Sequence, residues 1–347
     1  MTKHTPQWLT QLSAKRDRLA LRASIIKEIR RWFDDNGFIE MHTPRLVPSP
    51  GLESNLDVFS TTLTAPRGEA EDATVYLPTS PEFSMKKLLA AGFDRIYDLG
   101  VCFRNAEGSE LHEHEFLMLE WYRTHADETD IMDDCEAMVY AAARAAGIGD
   151  TVTYKGREIS LKPPWTRTTF AELFASIGID LGDAYEHDNL AEAAIGQGFT
   201  YIQPDDDFDT AFYRLFLTEF EPNIGWDKPV FINGYPACMA AYARLDEDDP
   251  RFSRRFELFM GGIELANAFY EVTDAEEQRR RQQKYREERE DLSTEAVPED
   301  PEFMEALEAG FPRSGGIALG VDRLIMLLLQ QEAIQDILPF PRWQRQD

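Results

Sequence analysis

The chain has 347 residues, 43% of them hydrophobic and 12% aromatic, which is the composition of a globular protein able to bury a sizeable core. Its 63 acidic and 36 basic residues give a net charge of −27, which would repel a polyanion unless the basic residues gather on one face, so nucleic acid is a disfavoured partner. With no apolar run longer than "LIMLLL" at 324–329, no apolar signal core at the N-terminus, and Cys102, Cys135 and Cys238 widely spaced, the sequence predicts a reduced, cytoplasmic protein without a membrane span, disulfide framework or cysteine metal knuckle.

In chain order, Ile25, Ile29, Trp32 and Phe33 recur at i, i+4, i+7 and i+8, the spacing of one apolar helix face, and Gly37 follows as a stop. "FIEMHTP" then alternates as a strand until Pro44, which cannot donate to a ladder and belongs at a strand end or sheet edge. "ATVYLPTSPEFSMKKLLAAG" predicts a strand over 75–77, a turn at 78–81, and a helix capped by Ser80 with Pro81 at its first position and Gly92 beyond its end. The apolar runs "DRIYDLGVCFRN" and "EFLMLEWYRTH" predict an antiparallel pair joined by a long acidic loop, with Arg104 closing the first strand.

Residues 127–149 and 168–220 read as mainly helical, with "PDDDFD" as an acidic cap, and carry no evident chemistry. "FELFMGGIELANAFYEVTD" is strand-like, and the charged helix at 274–291 reads most simply as a solvated face. "RSGGIALGVDRLIMLLL" runs from glycines through a short strand into an apolar helix, with Asp322 and Arg323 at the junction. No repeat or Ser/Pro-rich linker divides the chain.

The acidic loop sets His112 and His114 among Glu107, Glu110, Glu113 and Glu115. Two histidines two apart share a strand face, yet His4, His42, His125 and His187 offer no third ligand in a ligand-like setting, which weighs against a transition-metal site. A solvated charged loop is one alternative; a clamp for a charged substrate is the other. Arg104 and Arg323 favour the clamp, because a planar guanidinium binds phosphate oxygens bidentately and two of them suit a polyphosphate, although each alone would pass for a surface ion pair. Glu264 and Glu271 offer the hard oxygens that Mg²⁺ requires, but their spacing of seven calls for a bulge or turn near Asn267 if both are to meet one ion. Neither a "GxxxxGK[ST]" nor a "GxGxxG" cradle is present.

"GFIEMHTPRL", "CFRNAEG" with "HEHEFLMLEWYR", and "GGIALGVDRL" resemble the three signature motifs of class II aminoacyl-tRNA synthetases, and "TSPEF", "MLEWY" and "GIELANAFYEVTD" narrow the resemblance to the lysyl type. The motifs stand in order from 37 to 324. The resemblance implies an α+β fold, a six-stranded antiparallel sheet flanked by helices, in one catalytic domain over 1–347 with a largely helical insertion at about 127–220. It also implies a homodimer joined through the first motif and Pro44, with ATP and Mg²⁺ as cofactors. Arg104 and Arg323 would be catalytic on the ATP phosphates, with Asn105, Ala106, Glu113, Glu264, Leu265 and Gly320 completing the ATP site and Glu264 and Glu271 holding the metal. Glu120, Tyr122 and Glu271 would hold a side-chain ammonium, Ser80, Pro81 and Glu82 the other amino group, and Asn267 and Ala318 the rest of the substrate.

The sequence departs from that pattern in several places. Ala106 stands where the second motif has glutamate, so either the adenine contact is lost or Glu107 supplies it through a local shift. Glu113 replaces an asparagine of related ligases, and Ala318 a glycine of the lysyl tRNA synthetases. Only 36 residues precede Gly37, and they read as helix, leaving no room for an anticodon-binding OB domain. In these respects the chain resembles the short paralogues that join (R)-β-lysine to elongation factor P, which implies that protein as acceptor and no role for tRNA. A truncated synthetase acting on tRNA and a catalytically silent binding paralogue are the alternatives.

Overall fold

Two helices lead the chain, α1 (Gln7–Ala14) and α2 (Arg16–Asp35), and α2 buries the predicted stripe of Ile25, Ile29 and Phe33, with Trp32 partly buried beside it. Gly37, at φ +76°, ends the helix: its N–H donates to the Asp34 carbonyl and that of Phe38 to the Phe33 carbonyl, a left-handed cap that glycine adopts without Cβ strain. The structure is a computed structural model and describes residues 6–65, 72–292 and 296–341.

The strand expected after Gly37 is only two residues long, β1 (Ile39–Glu40), and Pro44 lies beyond it. Strands β2 (Phe59–Leu63) and β3 (Ala73–Leu77) form a separate antiparallel pair. Helix α3 (Glu82–Ala90) starts one residue later than its capping pattern predicts: Pro81 is the N-cap, and Ser80 acts from outside by accepting the Glu82 N–H at 3.0 Å. Strands β4 (Arg95–Phe103) and β5 (Glu115–Thr124) form the predicted long hairpin, closed by Phe103 opposite Glu115. Helix α4 (Glu128–Ala145) follows a capping box made by Asp127 and Asp130.

The insertion expected to be largely helical over about 127–220 also contains strands, mostly between the two stretches read as helical. Between α4 and the later helices lie β6 (Thr151–Tyr154), β7 (Arg157–Ser160) and β8 (Thr166–Thr169); the first two are joined through Lys155 and Gly156, both at positive φ. Helices α5 (Phe170–Ser176), α6 (Leu181–Glu186), α7 (Leu190–Gly196) and α8 (Phe208–Leu215), the last extended by a π-helical turn at Phe216–Phe220, enclose an apolar cluster of Phe170, Phe174, Phe212 and Leu215. After β9 (Val230–Pro236), strands β10 (Phe252–Met260) and β11 (Ile263–Tyr270) turn through Gly261 and Gly262, both at positive φ. Helices α9 (Ala275–Asp291) and α10 (Pro301–Gly310), strand β12 (Ser314–Gly320) and helix α11 (Val321–Leu328) complete the order.

The main sheet has eight strands, in the order β1-β4-β5-β12-β11-β10-β9-β8, where six were expected. The β4 to β9 run is antiparallel throughout, matching the expectation, and the additions are short parallel strands at each edge, β1 and β8. Strand alternation gives the sheet two unlike faces. On one, the cross-strand row Tyr97, Trp121, Ile317, Ala268 and Phe256 packs into the core shared with α2, α4 and α11. The other face carries charge. Among the described residues no helix is long and apolar enough to cross a membrane.

Phe33 ties these layers together, stacked on Tyr97 at 4.5 Å and set edge-on to Trp121 and Phe38. Phe33→Ala should therefore cost about 3 to 5 kcal/mol of stability, measured as a lower urea midpoint with an unchanged slope.

Candidate active site

Two adjacent rows on the charged face make the floor of a cleft of about 780 Å³. One row reads Glu257, Asn267, Ala318, Glu120 across β10, β11, β12 and β5; the other reads Arg255, Phe269, Gly316, Tyr122. All eight line the cleft. With neighbouring strands about 4.8 Å apart, the Ala318 methyl lies between Asn267 and Glu120, which are roughly 10 Å from each other. Gly316 is required by close approach: a Cβ there would come within 2.2 Å of the Tyr122 ring and 2.5 Å of Glu271 Oε1.

The β11 strand contains the irregularity that the Glu264 to Glu271 spacing demanded. Leu258 pairs with Ala266 and Phe259 with Glu264, which leaves Leu265 as the extra residue of a bulge two positions before Asn267. That extra residue inverts the alternation, so Glu264 joins Asn267 on the cleft side. Glu271 has a different engagement. It is fully buried, its Oε2 is 2.7 Å from Lys86 Nζ, and its Oε1 accepts no hydrogen bond.

Lys86, on α3, is an internal ammonium shared by Glu82 and Glu271. Burial works against its charge, but those two carboxylates hold its pKa above the ordinary lysine range. Beside it, Glu120 accepts hydrogen bonds from the Tyr122 hydroxyl at 2.6 Å and from Ser80 Oγ at 2.7 Å. Burial first, then the charge of Glu82, push Glu120 up to about 8. A carboxylate held this way is short of a cation.

Arg104 and Arg323 both line the cleft, and both act on His112 of the β4–β5 loop. Arg323 donates to the Glu264 carbonyl at 2.8 Å and the Leu111 carbonyl at 3.3 Å, and contacts His112 Nε2. His112 Nδ1 lies 2.8 Å from Ser109 Oγ. Burial and the two arginines hold His112 down at about 4, so it is neutral near pH 7 and its Nε2 accepts from Arg323. This places His112 in the cleft as a partner of Arg323, while His114 packs edge-on against Phe59. Arg104 is less committed: Glu107 lies 3.9 Å away and Arg104 Nε has no hydrogen-bond partner.

Ala106 adopts φ +55° and does not line the cleft; Glu107 does. The chain thus turns at Ala106 so that the next residue faces inward. Asn105 is also turned away, its backbone N–H donating to the Asp57 carbonyl at 2.9 Å. Glu113, Leu265 and Gly320 line the cleft; Pro81 lines a smaller cavity of about 290 Å³ that shares Glu53, Ser80 and Glu82 with it.

Several cleft residues escaped the sequence reading: Glu53, Arg255, Glu257, Tyr242 and the inner face of α9. Arg255 donates to Asn267 Oδ1 at 3.1 Å, to the Met239 carbonyl at 2.7 Å and to Glu257 at 2.7 Å. Burial, then Glu264, raise Glu257 to about 7. Strand alternation in "RRFE" put Arg255 and Glu257 on one face and was the available signal. Helix α9 is not simply a solvated face: it buries Gln278, Gln282 and Arg289, and Arg281 donates to the carbonyls of Ala241 and Ala243.

The class II tRNA synthetase family (D, K and N) matches residues 7–344. Over 332 residues the chain is 37% identical to the elongation factor P–(R)-β-lysine ligase of Hamiltonella defensa subsp. Acyrthosiphon pisum (strain 5AT), which spans 95% of this chain and 97% of that protein. It is 38% identical over 339 residues to the protein of the same name from Yersinia enterocolitica serotype O:8 / biotype 1B (strain NCTC 13174 / 8081), across 97% of this chain and 98% of the relative.

Gly316→Ala should displace Tyr122 or Glu271 and weaken binding of a lysine-like cation by ~10-fold or more, the scale of one lost charge-assisted hydrogen bond. Titration calorimetry checks this, with circular dichroism expected to stay unchanged.

Proposed function

The chain belongs to the class II tRNA synthetases (D, K and N), and from that premise we propose that it is an ATP-dependent ligase that activates (R)-β-lysine as an aminoacyl adenylate and transfers it to the ε-amine of a lysine of elongation factor P. The observation that carries this reading is the two-part cleft. Guanidinium groups suited to phosphate gather with Arg104 and Arg323, and buried carboxylates suited to amines gather around Glu120, on one continuous sheet floor. The name borne by the relatives supplies the acceptor and the amino acid.

In the first step a carboxylate oxygen of the amino acid attacks the α-phosphorus of ATP, forming the C–O–P link as the bond to pyrophosphate breaks. Arg104 and Arg323 stabilise the charge that develops on the phosphate oxygens. Glu120, oriented by Tyr122 and Ser80, holds an ammonium of the amino acid and so fixes the distance from that amine to the reacting carboxylate. The floor keeps this geometry. In the second step the neutral acceptor amine attacks the carbonyl carbon and AMP leaves.

The family implies Mg²⁺, and the donor set fits one. Glu257 and Glu264 are hard carboxylates on neighbouring strands, close enough that Glu264 raises the pKa of Glu257, a repulsion that a divalent cation would relieve. Glu264, and Glu257 beside its partner Arg255, would hold it, because both line the cleft; Glu271, also implied by the resemblance, is fully buried against Lys86 and does not. Among the described residues no group of three or more His, Cys, Asp or Glu ligands is assembled, so phosphate and water oxygens would have to complete the shell. Bound there, it would neutralise phosphate charge.

We further place the protein in the cytoplasm as a homodimer. Ile39 on the edge strand β1 and Leu46 just beyond Pro44 are 53% and 50% exposed, apolar side chains that a second copy would cover. Analytical ultracentrifugation should give twice the 39.8 kDa chain mass.

The deciding experiment supplies Mg-ATP and radiolabelled (R)-β-lysine or α-lysine, with elongation factor P and bulk tRNA in separate tubes. Label on elongation factor P, with β-lysine preferred, is expected; label on tRNA would overturn the acceptor, and no adenylate at all would leave a silent paralogue. Arg104→Ala should cut ATP/pyrophosphate exchange by about 10²-fold or more. Because Glu120 must be ionised to hold an ammonium, KM for the amino acid should fall as pH rises toward about 8, and Glu120→Gln should flatten that profile.

A further inference from the structure

The tip of the β4–β5 loop is held by a part of the chain that belongs to none of the signature motifs. Gly108, Ser109 and Glu110 are exposed, and the tip closes on itself: the Ser109 N–H donates to the His112 carbonyl at 3.2 Å, and Ser109 Oγ accepts the Leu111 N–H at 3.1 Å. Leu111, His112 and Glu113 line the cleft, where Arg323 donates to the Leu111 carbonyl. Ser109 and Glu110 do not line it. Their carbonyls go instead to the C-terminal turn Ile334–Asp336, where the Ile334 N–H donates to Glu110 at 2.8 Å and Gln335 Nε2 donates to Ser109 at 2.9 Å.

Gln335 also reaches into the wall of the cleft. Its Nε2 donates to Glu113 Oε1 at 3.1 Å, although Gln335 lies outside the cleft lining and Glu113 within it. Glu113 is only 5% exposed, and a carboxylate so buried, in a loop that also carries Glu107, Glu110 and Glu115, needs donors to hold it in place. The turn that supplies this donor is itself anchored. Lys15, between α1 and α2, donates to the carbonyls of Gln335 and Leu338, while Arg18 donates to Gln331 Oε1 at 2.6 Å and pairs with Asp336 at 3.7 Å. Helix α2 also fixes the residue before Arg323: Arg22 pairs with Asp322 at 2.7 Å, and Asp322 accepts the Leu117 N–H of β5 at 2.7 Å. The catalytic arginine and the loop tip that meets it are thus braced from one helix.

We infer that Gln335 is a positioning residue for nucleotide binding: by holding Ser109 and Glu113 it keeps the loop tip against Arg323 before ATP arrives, and Glu113 serves as the latch of the loop and not as an ATP ligand. This rests on the ligase reading above, which places the ATP phosphates at Arg104 and Arg323. It reassigns Glu113 from the role that the resemblance implied. Without the latch, ATP would bind only the fraction of molecules whose tip is in place, and its apparent affinity would fall by that fraction.

The test measures Mg-ATP binding by titration calorimetry for the wild type, Gln335→Ala, Glu113→Ala and the double variant, with hydrogen exchange over 106–114 in the free and ATP-saturated proteins. Gln335→Ala should raise the Kd for Mg-ATP by ~10-fold and speed exchange of that segment in the free protein, with wild-type protection returning at saturating ATP. In ATP/pyrophosphate exchange the loss should fall on the KM for ATP, leaving the KM for (R)-β-lysine within about twofold. Glu113→Ala should cost no more than Gln335→Ala, and the double variant no more than Gln335→Ala alone, because both substitutions open one latch. Gln335→Lys, which keeps a donor for both acceptors, should recover most of the affinity. Additive losses in the double variant would make Glu113 a direct ATP contact and overturn the assignment, as would equal loss in both KM values or an unchanged Kd in Gln335→Ala. A wild type that binds no Mg-ATP would overturn the ligase reading and this one together, whereas a wild type that binds it and variants that bind it equally well would overturn this one alone.

Discussion

Period-two alternation of side chains along antiparallel strands is the constraint on which the rest of this structure depends. One set of residues, Tyr97, Trp121, Ile317, Ala268 and Phe256, closes the core. Their immediate neighbours, Glu120, Tyr122, Ala318, Gly316, Asn267 and Glu257, necessarily face the other way and form the cleft. A slip of one residue in any of these strands would bury carboxylates in the core and expose the aromatic row. Core stability and site geometry are therefore specified by the same register, and the bulge at Leu265 is the one place where β11 departs from it to bring Glu264 inward.

Burying several carboxylates in one cleft is costly unless cations accompany them. Lys86 meets part of that need by serving Glu82 and Glu271 at once. Around Glu120 the protein provides hydroxyl donors, and burial with the charge of Glu82 keeps its pKa raised in spite of Lys86. The arginines show a similar division. Arg323 is held by backbone carbonyls and by neutral His112, whereas Arg104 retains a buried Nε without a partner.

Much of this was legible in the sequence where a local pattern had a single physical reading. The α2 stripe with its glycine stop and the β4–β5 hairpin announced themselves through spacing. The parallel edge strands did not, because β1 is two residues long and β8 four, too short to show a period. Lys86 reads as one more lysine on an ordinary helix, and only tertiary placement reveals that it lies between two buried carboxylates. Helix α9 misleads for the opposite reason: its charges are numerous, and the inward arginines bond to carbonyls that no local pattern foretells. Ala106 raised a question that the sequence could state and only the backbone could address, by turning at φ +55° and bringing Glu107 into the cleft lining.

If, as proposed, a carboxylate oxygen of the amino acid attacks the α-phosphorus of ATP between Arg104 and Arg323, that oxygen must leave with AMP. The most direct measurement is the fate of ¹⁸O from (R)-β-lysine labelled in its carboxylate, followed by mass spectrometry of the nucleotide products after transfer to elongation factor P. One labelled oxygen in AMP is expected. Unlabelled AMP, or label recovered in inorganic phosphate alongside ADP, would contradict it.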